Sequence, residues 1–476
     1  MLDIARDKTG VAARPAAGAI ASALARFVAT TGGGEIPAPV GSRAMHHILD
    51  AVGIALAVSR YDYARKAVDG LGLVSAEGAV PVLGFPAAWA PRDAATINGL
   101  LCHGLDFDDT HLKGVIHPTV AQFPAALSAA VMAGATVGEM VSAYILGVET
   151  SVRIASVARG GFHRAGFHPS GVCNAPAAAL AAGRLLGLDE TGLRHAQGIA
   201  LSMASGTLEF LEDGAWTKRL HPGWAASSGI TAAAMAKAGY VGATSPYSGR
   251  FGLYRAFLGG EDECDYGLAT DGLGSDWELF QTAIKPYPAC HLTHGCIDAA
   301  ISIASEHRLE ADDIASVEAL VHADMVPTIC EPVASKRRPK NGYDAQFSIP
   351  FLVATALLEG RITIASLEED RLRDPSILRL ADKVDYATDP RSGFPRHYSG
   401  EVIVTTVDGR RIAERAQVNS GAPDMPVTDA GIIKKFEGNA ATALQPAGVE
   451  ALMRLILSAD GDRPARDWAA ALGTFH

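Results

Sequence analysis

The chain has 476 residues, 48 % of them hydrophobic and 20 % charged, the balance of a globular protein with room for several domains. Forty-one Lys and Arg against 52 Asp and Glu leave a formal charge of −11, which argues against a nucleic-acid coat or a membrane-surface protein, since either needs a basic face. The mean hydropathy of +0.15 comes from alanine, and the most apolar stretch, Val120 to Gly134, is short and interrupted by Pro124, so no membrane span is expected.

The N-terminus, MLDIARDKTGVAARPAAGAI, has no apolar core of the kind a secretory signal carries. Arg43 to Val58 repeats apolar residues at three-to-four spacing and predicts an amphipathic helix, and Asp93 to His103 continues in that style. Three later stretches resemble one another. His117-Pro118, His168-Pro169 and His221-Pro222 each precede an Ala-rich run that ends at Gly134, Gly187 or Gly239. Proline suits the first helical position and glycine the stop, so each His is expected at a helix N-cap or just before it.

The stretch GGEDECDYGLATDGLGSDWE, near residues 260–285, is rich in Gly and Asp and reads as a surface loop. Beyond it Ser316 to Ala323 alternates like a strand. Glu401 to Val407 and Arg410 to Val418 flank Asp408-Gly409 as a β-hairpin, and Gln346 to Gly360 reads as a buried helix between these strands. From Thr428 the pattern is helical again. The expected fold is mainly α with an inserted α+β domain: a helical domain from residues 1–281 and 419–476, and a smaller α+β lid from residues 282–418.

Six cysteines without a C-x-x-C pair point to reduced, mostly buried thiols and a cytoplasmic setting. There is no G-x-x-x-x-G-K-[ST] loop, no strand followed by G-x-G-x-x-G, no G-x-S-x-G elbow and no H-E-x-x-H, which disfavours nucleotide-dependent, α/β-hydrolase and zincin chemistry.

Polar residues gather in four places. Asn98 to Thr119 holds His103, Asp106, Asp108, Asp109, His111 and His117. Three readings stand: a solvated helix end, a hard-ion site, or acid–base chemistry in which Asp106 orients a partner of His117. A D-D-x-x-D ligand pattern would need an acid at Leu112, so no metal ligand is assigned. Gly161 to Ser170 offers His168, with His163 read as a surface residue. Asp213 to Gly223 places Lys218, Arg219 and His221 beside a predicted helix N-terminus, which attracts anions. Ile284 to His294 carries Lys285 in a Pro-stiffened turn at the inferred domain boundary, where ligand clefts are common. Each lysine read singly is a solvated surface charge. Together these groups fit a small di- or tricarboxylate in an otherwise acidic protein, with His117, His168 and His294 as candidates for proton transfer near neutral pH.

The segments NGLLCHGLDFDDTH…HPT, GFHPS, TKRLHPG, KPYPAC…H and DAQFSIPF, in this order from about residue 40 to 440, resemble the MmgE/PrpD family, which includes 2-methylcitrate dehydratase, cis-aconitate decarboxylase and iminodisuccinate epimerase. The resemblance implies a cofactor-free enzyme, usually a homodimer, with a large helical domain and an α+β lid. It implies catalytic roles for Asp106, His117, His168 and Lys285 and substrate-binding roles for Thr110, Lys218, His221 and His294, His294 matching the family position better than His291. Phe351 stands where decarboxylase-like members carry Tyr, which tilts the expectation towards a 2-methylcitrate dehydratase-like lyase, with epimerase and decarboxylase as alternatives. All three reactions make or quench a carbanion next to a carboxylate and need a base, an acid and cations on the carboxylates. A metal-dependent hydrolase using the Asp cluster and a non-catalytic carboxylate-binding protein are the readings outside this class. The expected partner is a small polycarboxylate, with neither nucleic acid nor membrane.

Overall fold

Alanine and glycine set the packing of the larger unit. The computed structural model describes residues 15–261 and 263–476, so the first fourteen residues of the N-terminal stretch searched for a signal lie outside the described residues. The chain divides into two units, residues 285–427 and, among the described residues, the remainder on either side. In the larger unit the helices Pro91–His103, Thr119–Ala133, Asn174–Leu185 and Leu220–Lys237 bury a shared face of Ala95, Ala125, Ala129, Ala178, Ala226 and Ala233. Small side chains let helix backbones approach closely. Where Pro91–His103 meets Leu220–Lys237, a Cβ on Gly223 would stand 1.9 Å from the Thr96 carbonyl oxygen.

Local signals fix the helix ends. Thr119–Ala133 stops at Gly134, whose φ of 70° is the left-handed conformation that glycine adopts without strain. Val137–Val157 opens on a reciprocal cap between Thr136 and Glu139. That helix is long and apolar enough to cross a membrane by length and composition, and 89 % of its most apolar window is buried inside the protein. The three His-Pro starts differ in detail. Pro118 caps the first helix with His117 just before it, His168 caps the Pro169–Val172 turn, and His221 sits inside the first turn of a helix that already begins at Leu220.

The chain's C-terminal helices return to this unit. Asp429–Ala440 packs on Ala38–Val58, with the ring of Phe436 2.8 Å from where a Gly53 Cβ would lie. The stretch read as a surface loop is anchored here too. Buried Arg153 donates to the carbonyls of Asp271, Gly272 and Asp276, and Thr282–Ala283 pairs antiparallel with Thr110–His111.

Residues 285–427 form a four-stranded sheet in the order Val384–Thr388, Ile314–Val321, Gly400–Thr406, Arg411–Ala416, the first pair parallel and the others antiparallel. Val317 faces Val384 on one side and Val404 on the other, and with Ile297, Ile303 and Val353 they share one apolar core that includes the helices His294–Glu306 and Ile349–Glu359. The hairpin turns at Gly409, where φ is 86°. Val384–Thr388 is a strand the alternation pattern did not single out. The fold class is the expected one: a helical unit drawn from both chain ends and a smaller α+β unit between them in sequence.

Candidate active site

The three aspartates that follow Pro91–His103 are 5 %, 1 % and 2 % exposed at Asp106, Asp108 and Asp109, which removes the solvated-helix-end reading. Each has its own partner. Asp106 has φ of 50°, a left-handed conformation uncommon outside glycine but tolerated by Asp. Its carboxylate accepts from the Lys218 ammonium at 2.7 Å, and its other oxygen lies 3.8 Å from His117 Nε2. Asp108 takes His103 Nδ1 at 2.9 and 3.0 Å through both oxygens and lies 3.2 Å from His117 Nδ1. Asp109 accepts from His47 Nδ1 at 2.7 Å and from the Thr119 hydroxyl, so it serves the scaffold.

The surrounding scaffold fixes this loop from three sides. Arg219 donates Nε to the Gly104 carbonyl at 2.7 Å and stacks 4.2 Å from the Tyr63 ring, which holds the Trp216–Arg219 turn and aims Lys218 at Asp106. Lys435, on the C-terminal Asp429–Ala440 helix, donates to the Phe107 carbonyl at 2.8 Å, pairs with Asp50 at 2.7 Å and lies 3.7 Å from the Phe107 ring centre. Ser170 accepts from the His117 amide at 3.1 Å, and Asn174 donates to the His117 carbonyl at 2.9 Å.

Within that frame the imidazoles collect. His117 Nδ1 donates to the Asp109 carbonyl at 2.8 Å, with the Thr110 hydroxyl 3.2 Å away. The ring centre of His103 is 4.8 Å from that of His117 and 5.7 Å from that of His168. His168 and His221 meet Nδ1 to Nδ1 at 3.1 Å, so one donates and the other accepts. Burial, then Lys218 and the neighbouring rings, holds His168 well below the ordinary histidine range, and burial with His103 and Lys218 lowers His221 to about 4. Burial also lowers His103, against the pull of Asp108. For Asp108 burial acts upward, but His103 and His117 outweigh it and keep the carboxylate ionised. His163 is not the surface residue expected: its ring is 6.2 Å edge-on from His168, and burial with Lys218 and His117 lowers it to about 4.

Of the residues singled out in the sequence, Asp106, Thr110, His117, His168, Lys218 and His221 therefore come together in the helical unit. Lys285 and His294 belong to the other unit, where His294 is buried at the start of its helix, its ring 4.6 Å from that of His291. His291 in turn accepts from Asn419 at 2.8 Å. His103 and Asp108 have no role in the motif reading, and Arg219 only that of a further cation. Two of the sets above could also surround a divalent cation: His103, His117 and His168, and His103 and His117 with Asp106 and Asp108, each offering donor atoms within 4.8 Å of one another. Lys218 already holds Asp106, which reduces that carboxylate's value as a cation ligand.

Residues 22–264 match the MmgE/PrpD N-terminal domain and residues 287–459 match the MmgE/PrpD C-terminal domain. The chain belongs to the MmgE/PrpD family. Among curated MmgE/PrpD-like relatives, the cis-aconitate decarboxylase-like protein oryM of Aspergillus oryzae is 25 % identical over 93 % of this chain and 94 % of its own length. The cis-aconitate decarboxylase of Aspergillus terreus is 26 % identical over 93 % of both chains, and the human cis-aconitate decarboxylase 28 % identical over 77 % of this chain and 76 % of its own. In this MmgE/PrpD chain Phe351 is fully buried in the apolar core of residues 285–427.

Proposed function

We propose that this chain is a lyase that acts on a small di- or tricarboxylate without a cofactor, by moving a proton at the carbon next to a carboxylate, and that decarboxylation of a cis-aconitate-like substrate is its reaction. The observation that carries the reading is the buried imidazole group around His117, set beside the Lys218–Asp106 pair. The names of the relatives favour decarboxylation over the 2-methylcitrate dehydration expected from Phe351.

In this reading Lys218 receives a substrate carboxylate, and Asp106 holds the ammonium in place. The bond from carbon to the departing carboxylate breaks, CO₂ leaves, and the electron pair stays on carbon, delocalised towards a remaining carboxylate. A protonated imidazole, His117 in this assignment, then forms the C–H bond and regains its proton from water. His168 and Thr110 position that ring, and His221 fixes His168. For Lys285 and His294 the family motif rather than geometry carries the assignment, and Lys285→Met is the variant that tests it.

The test is NMR in D₂O with cis-aconitate, 2-methylcitrate and a panel of small dicarboxylates. Loss of CO₂ with one deuterium in the product is the expected result. Alkene formation without CO₂ would move the assignment to dehydration, and deuterium exchange with the skeleton retained to epimerisation. No turnover of any polycarboxylate would overturn the reading.

A further inference from the structure

The helix Pro91–His103 ends on a histidine whose side chain is fully enclosed. Its Nδ1–H is committed to both oxygens of Asp108, which fixes the tautomer and leaves a lone pair on Nε2. That Nε2 is buried and finds no hydrogen-bond partner among the described residues. A buried polar atom without a partner costs about 1–3 kcal/mol, so packing alone gives no reason for an imidazole here. The neighbours do give one. One ring nitrogen from each of His103, His117 and His168 lies within 4.8 Å of the other two. Asp108 also approaches His117 Nδ1 at 3.2 Å, so one ionised carboxylate serves two imidazoles.

We infer that His103 is a second catalytic acid–base residue of this site, exchanging a proton with the substrate through Nε2 while Asp108 at Nδ1 holds the ring and stabilises its charged form. The inference rests on the proton-transfer reading above and adds a residue to it. A substrate carboxylate brought against a bare lone pair is repelled, so binding of the polyanion draws a proton onto Nε2. In the chemical step that proton passes to the oxygen of the remaining carboxylate towards which the electron pair of the broken C–C bond delocalises. It returns to Nε2 as His117 forms the C–H bond, so a single proton is taken from water, by His117. Asp108 stays ionised throughout, which is the orienting role a carboxylate plays behind a catalytic histidine.

The decisive variant is His103→Asn. Its amide keeps an N–H donor near the place of Nδ1 and loses Nε2. On the substrate identified by the D₂O experiment, kcat is expected to fall by about 10²-fold or more, with KM within a few-fold and unchanged circular dichroism. In His103→Gly, added imidazole should restore part of the lost turnover, a result that a purely structural ring would not give. A folded His103→Asn enzyme that keeps turnover within about threefold of the native one refutes the assignment. If His103→Asn does not fold, the His103→Gly enzyme decides: rescue by imidazole supports the role, and an active enzyme indifferent to imidazole refutes it. Absence of turnover in the native enzyme would instead sink the reading beneath it, so the two failures are distinguishable.

Discussion

Replacing Lys435 by Met separates the electrostatic strut under the site loop from the chemistry above it. The ammonium is 6 % exposed and the carboxylate of Asp50 2 %, so this is a buried pair at 2.7 Å. Removing one partner of such a pair costs about 3–5 kcal/mol. The orphaned carboxyl limits the damage by taking a proton. Burial, partly offset by Lys435, has already raised Asp50 from 3.8 to about 6. The native protein already bears the rise to about 6, so full protonation in the variant adds only about 1.4 kcal/mol for each pH unit above that value, or about 1.4 kcal/mol at pH 7.

The sign of the pH dependence follows. With its folded value raised, the native state binds more protons than the unfolded state between about 6 and 3.8, so this group adds stability as pH falls through that window. At pH 5 the native carboxyl is already mostly neutral and Lys435 has little charge to pair. Lys435→Met should therefore cost about 2–3 kcal/mol at pH 7, the protonation of Asp50 plus the lost contacts to Phe107. At pH 5 the cost should shrink towards ~1–2 kcal/mol, the share of the lost Phe107 carbonyl bond and ring contact. Urea unfolding followed by circular dichroism at both pH values measures the loss. Hydrogen exchange of peptides covering residues 98–119 reports whether the loop opens with it, and Lys435→Met with Asp50→Asn should recover much of the pH 7 deficit. An equal loss at pH 5 and 7, or one below about 1 kcal/mol, would refute the reasoning.

His117→Ala should lower turnover by about 10²–10⁴-fold with the fold retained, measured against exposed His476→Ala, since His163 lies too near His168 to serve as a control. Because His163 and His221 are lowered from 6.5 to about 4, mainly by burial, they stay neutral in the native state while their unfolded counterparts charge. These two groups should thus subtract stability as pH drops from 6.5 towards 4 and level off below, with at most ~3 kcal/mol per group, and the Tm difference between native and His221→Asn protein across that window checks it. Turnover should survive dialysis against a chelator; stoichiometric metal in the purified protein whose removal abolishes activity would replace the proton-transfer reading with a metal-dependent one.

The His-Pro pairs were legible because they combine a helix-start signal with a titratable side chain. His117 and His168 accordingly reach the site from neighbouring helix starts, and His221 joins them from within the first turn of its helix. His103 and Asp108 were less so. They are five residues apart across a helix end, and what brings them together is the left-handed backbone of Asp106, which no periodicity reveals. Arg219 read as one more cation beside a helix N-terminus, whereas its bond to the Gly104 carbonyl depends on a backbone acceptor, and backbone acceptors leave no mark in a sequence. The same holds for the stretch from Gly260, whose Gly and Asp content signals a loop but not that Arg153 would take three of its carbonyls. The two-unit fold was visible as a change of period near Ser316 and back near Thr428, while the short Val384–Thr388 strand depends on a parallel neighbour far away in sequence.

The bond from Lys435 to the Phe107 carbonyl spans 328 positions of chain, and that span is also an interval of time. At about 5–20 residues per second of synthesis, the loop bearing Asp106 and Asp108 leaves the ribosome a good fraction of a minute before the lysine that braces it. The whole of the smaller unit emerges in between. A growing chain thus displays its buried carboxylates and imidazoles with one support missing, and the centre matures only after the final helices dock. Fragments that stop short of Lys435 carry every residue assigned to the chemistry and still lack the brace beneath it, so synthesis of the Asp429–Ala440 helix is itself a step in assembling the site.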